Sequence, residues 1–162
     1  MEVPATLPDG VRIGHVHLAV SDLQRAEAFY CEILGFTVML RWPGALFVSE
    51  GHYHHLIGLN TWETKGADPP PTGHTGLYHL AILFPDRRSL AQCLVRVLAA
   101  GVAVDGASDH GVSEAIYLRD PDGNGIELYR DRPQGEWPRS ADGQPTMYTR
   151  RLDLEALLAE AR

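Results

Sequence analysis

Histidine is the residue type in this chain with the most chemistry to offer. There are 8 histidines against 2 cysteines in 162 residues, so a metal site here would be built from nitrogen and oxygen rather than sulfur. Cys31 and Cys93 lie too far apart in sequence for a metal or redox pair. His15 and His17 flank Val16 in the run IGHVHLAV. On a strand, whose side chains alternate between faces, the two imidazoles point the same way. His79 opens a comparable run, HLAILF. Glu127 stands between Ile126 and Leu128, where a carboxylate needs a partner or a metal. Together His15, His79 and Glu127 supply two imidazoles and one carboxylate. That is a facial triad with three open positions, a set suited to non-heme Fe(II), which must take substrate and oxygen side by side. Among the other histidines, His54 shares a face with Leu56 and Gly58 by strand parity and is expected to line a pocket. His55 would then face the other side, and His74, in GHTG, is expected to be structural or to lie at the pocket mouth.

These residues need a frame that brings them together. Residues 13–20 read as a strand from their β-branched content. Ser21 and Asp22 cap a helix over 23–34, and Gly35 stops it. Strands follow at 36–40, 45–48 and 55–60. Residues 61–76 form a loop containing Pro69, Pro70 and Pro71. The order then begins again: a strand at 77–84, a helix over 87–100 opened by Asp86 and stopped by Gly101, and strands at 102–104, 115–118 and 125–129. An internal repeat of about 60 residues is too long for a solenoid and reads as two fused copies of one unit. His15-Val16-His17-Leu18 matches His79-Leu80-Ala81-Ile82 at the start of each copy, and Ile57-Gly58-Leu59 matches Ile126-Glu127-Leu128 at the end. The expected fold is α+β: two tandem βαβββ modules, residues 11–62 and 75–133, whose sheets line a cleft. If they pack about a pseudo-twofold, His15 and His79 fall near the axis and Glu127 completes the set. Residues 134–162 form a C-terminal extension, extended at first. Its last part, residues 151–161, is a short amphipathic helix that would dock on the domain or on a second subunit. Asp120-Pro121-Asp122-Gly123 is a tight turn that aligns the strand bearing Glu127.

Composition excludes several classes. Hydrophobic residues at 44% support a globular core, and a net charge of −7 argues against a nucleic-acid or anionic-membrane surface. No apolar run approaches the roughly 18 residues of a membrane span. The opening MEVPATLPDG lacks the basic and apolar regions of a leader, so a cytoplasmic protein with reduced thiols is expected. Gly123-Asn124-Gly125 is a turn rather than a phosphate loop, and no G-x-S-x-G nucleophile elbow is present.

The stretches IGHVHLAVSDLQRAEAFYCEILGF and LRDPDGNGIELY resemble the opening strand–helix and closing hairpin of the vicinal oxygen chelate superfamily. That superfamily includes glyoxalase I, bleomycin-resistance proteins and extradiol dioxygenases. YHHLIGLNTW, GHTGLYHLAI and DHGVSEAIYLRDPDGNGIELY look most like the catechol-2,3-dioxygenase branch. The resemblance implies an extradiol ring-cleavage enzyme acting on a small aromatic diol and molecular oxygen. It carries the metal ligands onto His15, His79 and Glu127, with His17 as the rival to His15. It carries an acid/base histidine onto His110 and a hydrogen-bonding tyrosine onto Tyr117. The implied cofactor is a divalent metal, Fe(II) first, with Mn(II), Zn(II) or Ni(II) as alternatives. Gly58 occupies the place of a fourth, glyoxalase-type ligand and has no side chain to ligate with. A glyoxalase-type lyase or isomerase, with His17 or His54 as fourth ligand, stays open. So do a non-catalytic resistance-type binder and a homodimer.

Overall fold

A computed structural model describes residues 6–162. The first five residues, over which the reading of a missing leader partly runs, lie outside the described residues. The β-α-β-β-β order occurs twice. In the first half β1 (Val16–Ala19), β2 (Thr37–Trp42), β3 (Ala45–Ser49) and β4 (Ile57–Asn60) form a sheet in the order β1-β4-β3-β2. In the second, β5 (Leu80–Phe84), β6 (Val104–Asp109), β7 (Ser113–Arg119) and β8 (Gly125–Asp131) form another in the order β5-β8-β7-β6. Within each sheet the first strand runs parallel to the last, as a strand–helix–strand crossover allows. A ninth strand, β9 (Arg150–Arg151), extends the second sheet beyond β6.

Both expected helices form, with different bounds. Asp22 caps α1 (Leu23–Glu27), its side chain accepting from the amides of Gln24 and Arg25. The helix then widens into a π turn over Ala28–Ile33, where the expected α-helix would have continued. The extra residue per turn lets Phe29 and Tyr30, adjacent in sequence, both be buried. Asp86 caps α2 (Arg87–Ala99), and α3 (Leu154–Ala159) packs on α2. Helix α1 covers β3 and β4, α2 covers β5 and β8, and α2 meets the π turn. Leu18, Leu46, Val48, Ile57 and Leu59 from the first sheet share one core with Ile116, Leu118, Ile126 and Leu128 from the second. The inner face of each sheet therefore points at the helices, and the halves meet through the helix layer rather than by pairing β1 with β5.

The turn at Asp120 locks the halves together. Asp120 is buried and accepts from the amides of Asp122 and Asn124 (3.0 and 2.8 Å), the Asn124 side chain (2.9 Å) and the Tyr30 hydroxyl (2.9 Å). Desolvation, then the Asp120 charge, hold the Tyr30 phenol well above its usual range. Arg25 donates to the Pro121 carbonyl at 2.8 Å, and Ser21 bonds Asp122. Among the described residues no helix is long and apolar enough to cross a membrane.

Several boundaries differ from expectation. Residues 13–15 precede the first strand, and Ile13 is 93% exposed. His54 lies in a bend and His55 in the irregular connection before β4 rather than in the strand, so the parity argument for residues 54 and 55 loses its basis. The short strand expected at 102–104 instead runs Val104–Asp109, paired along β7.

Candidate active site

The second sheet brings four of the expected residues into one hydrogen-bonded chain. Antiparallel pairing sets Tyr117 directly opposite Glu127, on the outer face, while Ile116, Leu118, Ile126 and Leu128 turn inward. Such cross-strand neighbours stand within side-chain reach. His79 precedes β5, whose Ala81 lies beside Glu127. Its Nε2 lies 3.0 Å from Glu127 Oε2. Tyr117 Oη lies 3.2 Å from Glu127 Oε1 and 2.9 Å from His110 Nε2. The His79 and Glu127 side chains keep 33% and 14% of their exposure, so both remain reachable. Desolvation, then the charge of Glu127, push the Tyr117 phenol up to about 12, so it stays protonated at neutral pH.

Gly125 makes the approach of His79 feasible. A Cβ at this position would run into the Tyr78 carbonyl oxygen and stand 3.1 Å from the His79 Cβ. The absence of a side chain lets the segment before β5 lie close to β8.

The first sheet carries the other histidines. His17, Gly58 and Phe47 form one row across β1, β4 and β3. The His17 ring covers Gly58 so closely that a Cβ there would meet it at 2.9 Å. A ligating side chain at residue 58 is thus incompatible with His17 as it stands. His17 also stacks near Phe47 and Trp62, with ring centroids 5.7 and 5.5 Å away. His15 stands 4.5 Å from the ring of His55. Desolvation, then the neighbouring histidines, hold His55 below its ordinary pKa. His54, expected at the pocket, instead stacks on Tyr53 and faces His55, their Nδ1 atoms 2.7 Å apart. It is His55 rather than His54 that shares the face of His15 and Phe47. His74 lies exposed in the loop.

A groove of about 830 Å³ runs between the halves along β5, lined by Val16, Leu34, Ile57, His79, Leu83 and Tyr129. Of the expected site residues only His79 lines it. Its walls from the first sheet are Val16 and Ile57, whereas His15 and His17 lie on the opposite face. His15, His79 and Glu127 do not gather into a metal-holding group within the chain, and no group of three ligating side chains does so among the described residues. His79 and Glu127 alone fit such an ion: an imidazole nitrogen and a carboxylate oxygen aimed at one another, a borderline donor pair for Fe, Mn, Zn or Ni. His79 Nδ1 is buried without a hydrogen-bond partner, so Nε2 is the ring's only polar anchor.

The structure also shows groups that sequence reasoning missed. His110 Nδ1 lies 3.2 Å from both the Tyr148 carbonyl oxygen and the Thr149 hydroxyl, in the C-terminal extension. Glu114 is buried on the inner face and accepts from Arg87, Arg130 and Arg132.

Comparison with known proteins gives a consistent set of relatives. The model of the Glyoxalase/Bleomycin resistance protein/Dioxygenase superfamily matches residues 12–128. The chain is 40% identical over 156 residues to the catechol-2,3-dioxygenase of Bacillus subtilis (strain 168), covering 96% of this chain and 54% of that protein. It is 29% identical over 120 residues to biphenyl-2,3-diol 1,2-dioxygenase 3 of Rhodococcus globerulus, covering 74% and 63%. The chain thus spans only about half to two thirds of these two relatives. The glutathione transferase FosA of Serratia marcescens is 30% identical over 117 residues, covering 72% of this chain and 79% of that protein. Among solved structures, a glyoxalase/dioxygenase from Nostoc punctiforme superposes with a TM-score of 0.64 at 20% identity, covering 82% of this chain and all of that one.

Proposed function

Because the chain belongs to the Glyoxalase/Bleomycin resistance protein/Dioxygenase superfamily, we propose that it is an extradiol-type dioxygenase that opens a catechol-like ring with molecular oxygen. The observation that carries this reading is the hydrogen-bonded chain His79–Glu127–Tyr117–His110 on the outer face of the second sheet. The 40% identity to a protein named for that activity supports the choice of branch. His79 and Glu127 would hold a divalent ion, Fe(II) in this proposal. When bound, such an ion supplies a Lewis acid for the vicinal oxygens and an electron route between diol and oxygen. The protein's own groups handle protons. Tyr117 stands between the ligand carboxylate and His110, so it can hydrogen-bond a substrate oxygen and relay a proton to His110 Nε2.

His15 is the third ligand of this proposal, and it would come from a second copy. Within one chain the helix layer lies between the outer face of the first sheet and that of the second. A twofold partner that sets its first sheet against this second sheet builds two composite sites, each with His15 from one subunit and His79 and Glu127 from the other. Ile13, Leu77 and Tyr78, at 93%, 60% and 89% exposed, precede β1 and β5, and Leu83, at 54%, lies within β5. They supply apolar surface that such a contact would cover.

The test is anaerobic reconstitution with Fe(II), a panel of substituted catechols, and oxygen uptake followed together with the yellow ring-opened product. The expected result is one oxygen consumed per catechol. No uptake with any catechol, together with metal-dependent turnover of a thiohemiacetal, would move the chain to the lyase and isomerase side of its family.

A further inference from the structure

We infer that the C-terminal extension is a positioning strap that fixes which nitrogen of His110 exchanges protons; the catalytic consequence rests on the function proposed above. After β8 the extension lies against the hairpin bearing His110, and only beyond β9 does it reach α2 through α3. Arg150 and Arg151 pair with Asp109 and Ser108. The Tyr148 amide donates to the His110 carbonyl and the Leu152 amide to the Ala107 carbonyl, both at 3.2 Å. Beyond the strand, Leu152 and Leu157 are buried, and Arg87 holds Glu160 at 3.0 Å. The strap is therefore tied on both sides of residues 148 and 149.

The chemistry follows from what a carbonyl can do. A carbonyl oxygen only accepts. With the Tyr148 oxygen 3.2 Å from Nδ1, the bond exists only when Nδ1 carries a proton. The proton that comes and goes is then confined to Nε2, which faces Tyr117 at 2.9 Å. In the neutral ring Nε2 accepts from the Tyr117 hydroxyl. In the protonated ring Nε2 donates to the phenol oxygen, whose own hydrogen turns to Glu127 Oε1 at 3.2 Å. The Thr149 hydroxyl, also 3.2 Å from Nδ1, can donate or accept and so selects nothing by itself. Orientation of a histidine by an acceptor on its far nitrogen is a general way to fix its tautomer. Here the acceptor is a main-chain atom of the extension, so the contact to Nδ1 needs no particular side chain at residue 148, although the Tyr148 ring packs over Gly111 and under Arg150.

Long-range proton–nitrogen spectra of metal-free protein labelled in histidine test this without reference to turnover. The neutral His110 ring is expected as the Nδ1–H tautomer in the wild type and in Thr149→Val. Tyr148→Pro removes the amide that holds the strap to His110. It is expected to shift the ring toward Nε2–H and to lower kcat on a catechol by about 10- to 100-fold, with KM changed less than about threefold. An Nε2–H ring in the wild type overturns the inference. So does a Thr149→Val variant that flips the tautomer, or a Tyr148→Pro variant that changes neither tautomer nor kcat. If the chain turns over no catechol, the tautomer result still stands or falls alone, which separates failure of the strap from failure of the proposed reaction.

Discussion

Replacing Glu114 by alanine will destabilise the fold by about 3–5 kcal/mol, the cost of leaving buried charges without their partner. Glu114 is 3% exposed. One oxygen accepts from Arg87 Nε at 3.0 Å and Arg130 Nε at 2.9 Å, the other from Arg132 Nη2 at 3.1 Å. Asp109 shares Arg132, and Glu160 shares Arg87. Without Glu114 three guanidinium groups converge with no central anion, and one of them, Arg130, has a side chain only 13% exposed. Arg87 also donates to the Ala156 carbonyl of α3, so the loss should spread to the C-terminal helix. Urea unfolding is the direct measure, and the thermal midpoint should fall by roughly 6–20 °C. Arg41→Ala is the control. It breaks an ion pair with Glu27 whose side chains are 63% and 29% exposed, and a pair so exposed is worth no more than about 1 kcal/mol.

Glu127→Gln should leave stability nearly intact and remove function. The amide keeps the shape and a hydrogen bond to Tyr117 but loses the charge and one acceptor facing His79. Loss of an outer partner of a metal ligand already costs about 10–100-fold in affinity, so loss of a ligand should exceed the upper end in both Fe(II) affinity and kcat/KM. Tyr117→Phe should keep the metal while losing turnover, because it removes only the proton relay. His15→Ala should fail as Glu127→Gln does. When the two variants are mixed and allowed to exchange subunits, half of the dimers become mixed. Each mixed dimer has one site with both lesions and one with none, so about a quarter of wild-type activity should return. A mixture as inactive as its parts would mean that His15 and Glu127 do not act across two chains.

Much of the second half was legible in its residues. Strand parity alone separates Glu127 from Ile126 and Leu128, and antiparallel register then places Tyr117 opposite it. The tight turn at Asp120 was legible from its Pro, Asp and Gly content. Glu114 shares the inward face of Ile116 and Leu118, but β7 begins at Ser113 rather than at the expected residue 115, so strand parity did not reach it. The distance between His15 and Glu127 was not legible. It depends on how Tyr30, Leu34, Cys93 and Val97 pack between the halves, and strand periodicity says nothing about that. His54 and His55 were misread because parity holds only within a strand, and β4 begins at Ile57. The strap escaped notice because its decisive group is a backbone carbonyl, present at every residue and visible only when the chain has folded.

In the proposed site His79 and Glu127 hold an ion to which a vicinal diol binds through both oxygens. The most direct measurement is an anaerobic titration of Fe(II)-loaded protein with 4-nitrocatechol, recorded in the visible range. Chelation should give the bound dye the spectrum of its fully ionised form at a pH where the free dye is not fully ionised, and Glu127→Gln should abolish that change. A spectrum that is the same with and without Fe(II), or unchanged in Glu127→Gln, would contradict the claim.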